Sequence, residues 1–155
     1  MEIRFAKKQD IPGILELLRQ VGGVHHRIRP DIFRPGAVKY TEEELKEILA
    51  DESRPIFVGV ADGRVLGYSF CQLRQYRDST VLTDWTELYI DDLCVEETCR
   101  GQHVGRQLYD HTCAYATEIG CAFVTLNVWC GNDSAMAFYE KRGLTPRSIT
   151  MERAL

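Results

Sequence analysis

The chain has 155 residues, enough for one domain with a sizeable core and too few for two. It is 45% hydrophobic and 27% charged with a net charge of −4, which argues against a nucleic-acid binder, a class that carries a basic stripe. No apolar run approaches a membrane span, and the opening MEIRFAKKQD has no signal-type apolar segment, so a cytoplasmic protein with no membrane partner is expected.

Residues 2–6 alternate and predict a short strand. Asp10 is expected to cap a helix with Pro12 in its first turn and Ile11, Ile14, Leu15 and Leu18 on one face. VGGVHHRIRPDIFRPG (21–36), with adjacent glycines and two prolines, predicts that this helix breaks into a loop. Thr41 and Glu44 make a capping box ahead of Leu45, Ile48 and Leu49. Two apolar runs around Asp62-Gly63 read as a hairpin, and TELYIDDLCV (86–95) as a further strand. Val104, Leu108, Thr112, Tyr115 and Ile119 line one helical face that Gly120 stops. A strand over 123–128, a helix over 132–142 ended by Gly143, and a last strand in SITMERAL (148–155) complete the chain.

The expected order is β-α-α-β-β-β-α-β-α-β, one mixed α/β domain over residues 1–155. Its sheet is mostly antiparallel and flanked by helices. The β-α-β crossover makes 86–95 and 123–128 a parallel, adjacent pair. The six cysteines, Cys71, Cys94, Cys99, Cys113, Cys121 and Cys130, are scattered without a C-x-x-C pair, and only His25 and His26 are adjacent. Reduced thiols are expected, and no metal-ligand spacing is present.

CRGQHVGRQLYDH (99–111) leads from a strand through a glycine loop into a helix, the arrangement that holds anions on unpaired N–H groups and the helix dipole. Gly101 and Gly105 permit close backbone approach, and Arg100 and Arg106 offer charge-assisted hydrogen bonds. The lysine and hydroxyl of a Walker A loop are missing, as is the pattern G-x-G-x-x-G.

VEETCRGQHVGRQLYDH, followed by GCAFVTLNVWCGNDSAMAFYEKRGL, resembles the GNAT superfamily of acetyl-CoA-dependent N-acetyltransferases. The family loop, Arg/Gln-x-x-Gly-x-Gly/Ala, is matched at Arg100 and Gly105, with His103 at the first glycine position. A second signature is matched by Asn132, Ala135, Phe138, Tyr139 and Gly143. The resemblance implies acetyl-CoA as acetyl donor. Leu93, Cys94 and Val95 would face its pantetheine where their strand splays from its parallel neighbour. Gly101, Gln102, His103, Val104, Gly105 and Arg106 would wrap the pyrophosphate, and Asn132 would bond the pantetheine from the far side. His103 is expected at negative φ, with Gly105 the indispensable contact because a branched Cβ there would take the phosphate's place.

Acetyl transfer to an amine needs a base for the ammonium and a proton for the leaving thiolate. The family's tyrosine near the CoA sulfur corresponds to Tyr139, the expected acid. Asp91 and Asp92 interrupt an apolar strand, and alternation sends them to opposite faces. YIDDLCV is similar to the acidic strand of spermidine/spermine N-acetyltransferases, which favours Asp91 as base and leaves Asp92 a structural role such as holding the loop at 25–33; the sequence leaves the choice open. Ribosomal-protein alanine acetyltransferases carry a glutamate base where Asn127 stands, so their mechanism is not implied.

His25, His26, Arg29 and Asp31 lie in the segment that covers the acceptor in this family, as substrate contacts or as an internally bonded loop. The acidic helix at 41–52 attracts a polyamine or aminoglycoside, or is a solvated face. The leading expectation is an N-acetyltransferase for a primary amine of a small molecule or peptide, acting by direct transfer in a ternary complex. The alternative is a non-catalytic acetyl-CoA-binding sensor or interaction module. A homodimer is compatible with either.

Overall fold

The computed structural model describes residues 1–155. β1 (Glu2–Phe5) is followed by α1 (Ile11–Ile28), α2 (Glu42–Ile48), β2 (Ile56–Ala61), β3 (Arg64–Tyr76), β4 (Trp85–Val95), α3 (Val104–Glu118), β5 (Phe123–Leu126) and α4 (Asp133–Glu140). One sheet runs β1-β2-β3-β4-β5. It is antiparallel except for the last pair, where Glu87 to Ile90 lie parallel beside Phe123 to Leu126. Asp62 and Gly63 both take positive φ, 50° and 74°, the twist that a two-residue hairpin requires. The crossover through α3 produces the parallel pair, as the element order predicts.

Alternation gives the sheet two buried faces. On one, Ile56, Val58, Tyr68, Phe70 and Cys94 pack under the apolar stripes of α1 and α2. On the other, Phe57, Cys71, Leu88 and Ile90 pack under Val104, Leu108, Tyr109 and Ala116 of α3, with Phe138 and Tyr139 of α4 at the margin. Each fully buried aliphatic side chain is worth about 1.5–3 kcal/mol, so these stripes hold the helices to the sheet. Close approach of α3 depends on Gly67: a Cβ there would meet the Cys94 carbonyl oxygen at 2.8 Å and Leu108 Cδ1 at 2.9 Å. No helix is long and apolar enough to cross a membrane.

Three local expectations are corrected. The first helix does not break at residue 21 but runs through Gly22 and Gly23 to Ile28. A Cβ on Gly22 would lie 2.3 Å from the Ala37 carbonyl oxygen. The glycine therefore serves the return of the loop across the helix, and the packing of the half-buried residues 21–26 offsets its propensity cost of about 1 kcal/mol. Asp10 does not cap with its side chain; the carboxylate takes the Arg4 guanidinium at 2.7 and 3.0 Å and the Lys7 amide at 2.7 Å. The segment 148–155 forms no strand, and Ile149 and Met151 are exposed. Its alternation finds no ladder partner. The capping box is present, with the Glu44 amide donating to Thr41 Oγ1 at 3.2 Å and the Thr41 amide to Glu44 Oε2 at 2.7 Å.

Candidate active site

The parallel pairing stops at Ile90 beside Leu126, while β4 continues to Val95. Residues 91–95 therefore have no strand on their β5 side, and their backbone groups line an open slot. Leu93 and Val95 turn toward the α3 face and Cys94 toward the α1 face. An open strand edge of this kind can offer backbone partners to an extended amide-bearing arm such as pantetheine. Burial pushes the thiols of Cys94 and Cys71 up to about 12, so neither is a ready nucleophile at neutral pH.

The slot leads to the start of α3. Val104 is buried and anchors the first turn, whose N–H groups have no helical carbonyl partners. Gly101 takes φ +79°. His103, at the N-cap, takes φ +64° and gives no side-chain cap, contrary to the expected negative φ: the chain must turn left-handed here to enter the helix, which explains why glycine suits this position. Gly105 also differs from expectation. Its missing Cβ would point at Val95 Cγ2 (3.3 Å) and Phe138 Cε2 (3.5 Å), not outward to a phosphate. Arg100 lies 4.0 Å from Glu97, Arg106 3.4 Å from Asp110, and Gln102 Nε2 donates to the Thr98 carbonyl at 3.1 Å.

Beside this helix start lies a groove of about 490 Å³ lined by His103, Arg106, Tyr109, Asp110, Lys141 and Arg142. Arg142 stacks on Phe138 at 3.5 Å and donates to its carbonyl at 2.7 Å, while its Nε is buried without a partner. A basic groove at a helix N-terminus has the chemistry to hold the phosphates of a CoA-type cosubstrate. Lys141 and Arg142 were legible only as the charged end of a helix. Asn132 caps α4, its Oδ1 accepting from the Ala135 amide at 3.3 Å and from Ser134 Oγ at 3.2 Å, which leaves its amide NH₂ uncommitted.

Asp91 and Asp92 share one face of the sheet, against the alternation argument. Phe70 pairs with Asp92 but Cys71 with Ile90, so Asp91 is the extra residue of a β-bulge. A bulge shifts the side-chain phase by one residue, and both acids turn to the α1 face. Asp91 is 14% exposed and bound by Lys39 Nζ at 2.7 Å and by the Tyr40 hydroxyl at 2.8 Å, so it is Asp91 that ties down the segment before α2. Asp92 accepts only the Tyr68 hydroxyl, at 2.8 Å. The residue keeps some accessible surface while its carboxylate lies deep. Desolvation pushes its pKa up, against the pull of Tyr68, Lys39 and His25.

Tyr139 packs against Phe138 and Tyr109, with ring centroids 5.0 and 6.1 Å away. Its hydroxyl has no hydrogen-bond partner within the protein. Burial first, and then the Asp92 charge, push its pKa up, so it stays protonated at neutral pH. A carboxylate of raised basicity and a protonated phenol thus lie within electrostatic reach of each other.

The 25–33 segment is largely satisfied internally. His26 Nδ1 bonds the Phe33 carbonyl at 2.7 Å, and Arg29 pairs with Asp31 at 2.7 Å and with Glu152. His25 stacks on Phe33, which meets Trp129 edge-on at 5.0 Å. Of the four expected contacts, His25 alone makes no side-chain hydrogen bond, and it lies near enough to Asp92 to act on its charge. Tyr40, Lys39 and Tyr68 escaped sequence reasoning because nothing local marks them as partners of the acids.

A profile of the Acetyltransferase (GNAT) family matches residues 24–144. A single-site mutant of the BH1408 protein from Bacillus halodurans is 31% identical, with a TM-score of 0.95 over 100% of this chain and 99% of that one. An aminoglycoside acetyltransferase from an uncultured soil metagenomic sample, in complex with sisomicin, shares 19% identity at a TM-score of 0.76, covering 99% and 95%. Aminoglycoside N-acetyltransferase AAC(6')-Iy in complex with CoA shares 18% at 0.71, covering 99% and 100%. Among curated proteins no sequence matches.

Proposed function

Because the chain belongs to the GNAT acetyltransferase family, we propose that it moves an acetyl group from acetyl-CoA to a primary amine by direct transfer in a ternary complex. The observation that carries this reading is that β4 and β5 part beside Asp92, a desolvated carboxylate, whose charge reaches Tyr139, a protonated hydroxyl without a partner. Acetyl-CoA supplies the acyl group as an activated thioester. The first turn of α3, Arg106, Lys141 and Arg142 bind its phosphates, and the open edge at Leu93, Cys94 and Val95 takes the pantetheine, with the Asn132 amide opposite.

Asp92 takes the proton of the incoming ammonium on its carboxylate, because burial gives it more basicity than an exposed acid. Asp91, held by Lys39 and Tyr40, orients the acceptor beside it. Tyr139 gives its phenolic proton to the departing sulfur. The inert thiols of Cys71 and Cys94 favour direct transfer over a covalent enzyme intermediate.

A thiol-release assay with acetyl-CoA and a panel of amines tests this reading. Tyr139→Phe is expected to lower kcat by roughly 10²-fold, with calorimetric acetyl-CoA affinity changed only slightly. Acetyl-CoA binding without thiol release for any amine would point instead to a non-catalytic binding module.

A further inference from the structure

Glu87 is a buried carboxylate, 3% exposed, that the proposed chemistry does not use. It lies on β4 four positions before Asp91, on the same sheet face, about 13 Å away along the strand. Its partners are the Tyr76 hydroxyl at 3.3 Å and Arg147 Nη1 at 2.7 Å. The Arg147 guanidinium comes from the segment after α4 and is 51% exposed. It sits 5.1 Å from the Trp85 ring and 5.4 Å from the Phe123 ring. Those two rings meet edge-on at 5.7 Å, and Tyr76 flanks Trp85 at 4.8 Å.

A carboxylate walled by aromatic rings is the chemistry of a cation receptor. Here a half-exposed side chain on an irregular segment fills it. The opposing Arg74 leaves it alone, its guanidinium stacked 3.5 Å above Tyr89. Two more groups on this face are buried without a hydrogen-bond partner, Trp85 Nε1 and Thr125 Oγ1. Thr125 pairs with Tyr89, so its hydroxyl lies on the way from Glu87 to Asp91 and can accept from an amine.

We propose that Glu87, Trp85, Phe123 and Tyr76 form a second cation subsite on the acceptor face, filled by Arg147 in the free protein. The acceptor is then an elongated amine with a further ammonium or guanidinium group. Its distal cation displaces Arg147 on Glu87 while its reacting nitrogen reaches Asp91 and Asp92. Exchange of one cation for another keeps the buried carboxylate neutralised throughout, whereas an uncharged tail would strand it. This assignment rests on the amine-acetyltransferase reading for the meaning of the site, but its binding can be measured without turnover.

Calorimetry with diaminodecane and decylamine, equal in apolar length and differing by one charge, tests it. The wild type is expected to bind the diamine about tenfold more tightly, the worth of one charge-assisted hydrogen bond. Arg147→Ala, which removes the resident cation, widens that preference; Glu87→Gln, which keeps the shape and the Tyr76 bond, abolishes it. Equal affinity for the two amines in the wild type, or a preference that survives Glu87→Gln in a folded protein, overturns the proposal. Thiol release with both amines separates the two readings. Turnover without diamine preference defeats the subsite alone, and diamine preference without turnover defeats the acetyltransferase reading alone.

Discussion

His103 adopts the left-handed conformation at φ +64° with no side-chain cap in return. A residue with a Cβ is strained there by about 1–2 kcal/mol, part of which glycine gives back by its greater freedom in the unfolded chain. His103→Gly is therefore expected to stabilise the protein by about 0.5–1 kcal/mol, seen as a higher urea midpoint at unchanged slope. If the proposed cradle consists of backbone N–H groups, acetyl-CoA affinity should change by less than about tenfold, within 1.4 kcal/mol. An unchanged midpoint would mean that the ring earns its place through contacts of its own. The φ of His103 differs from expectation because the direction of the chain into α3 is set by the docking of that helix on Gly67 and Val95.

At the scale of the element, β4 is shaped by its bulge. The extra residue at Asp91 keeps Ile90 and Leu93 on the α3 face while both acids turn to the other. Burial raises the folded pKa of Asp92 above its ordinary value of 3.8. Between those two values the folded protein holds a proton that the unfolded chain has released. Stability at this site accordingly falls as pH climbs from the unfolded to the folded pKa, and stays lowered above it. Asp92→Asn, whose side-chain oxygen still accepts from Tyr68, is expected to be more stable than the wild type at pH 7, with the difference closing as pH falls toward 4. Urea unfolding of the two proteins over that range checks this, and a wild type that is the more stable at pH 7 would contradict a desolvated carboxylate. The same variant is expected to lose acetyl transfer, a stability gain bought with function.

For the whole molecule, the two halves of the proposed cosubstrate site lie on different elements: the open edge on β4 and the basic groove on α3 and α4. A ligand that spans both binds the folded state alone and stabilises all of it. Acetyl-CoA at a hundredfold excess over its Kd is expected to add about 2.7 kcal/mol and raise Tm by roughly 5–10 °C for a chain of this size. NAD and ATP, which lack the pantetheine, should leave Tm unchanged in differential scanning fluorimetry. Absence of a shift with millimolar acetyl-CoA would remove the cosubstrate assignment.

Hairpin, capping box, the stops of the last two helices and the parallel pair were legible in the sequence, because each follows from contacts within a turn or from the handedness of a crossover. The glycine loop and Tyr139 could be located from motif spacing. What only the tertiary structure decided were matters of distant partnership. Position 22 needs glycine because Ala37 crosses the helix there, and the two acids share a face because β3 and β4 pair out of phase. The alternating tail stays irregular because no strand lies beside it, and Glu87 is buried because an arginine sixty residues later covers it. Periodicity along a chain reports which side chains share a face, but burial, register and pairing depend on what the rest of the chain brings to that face.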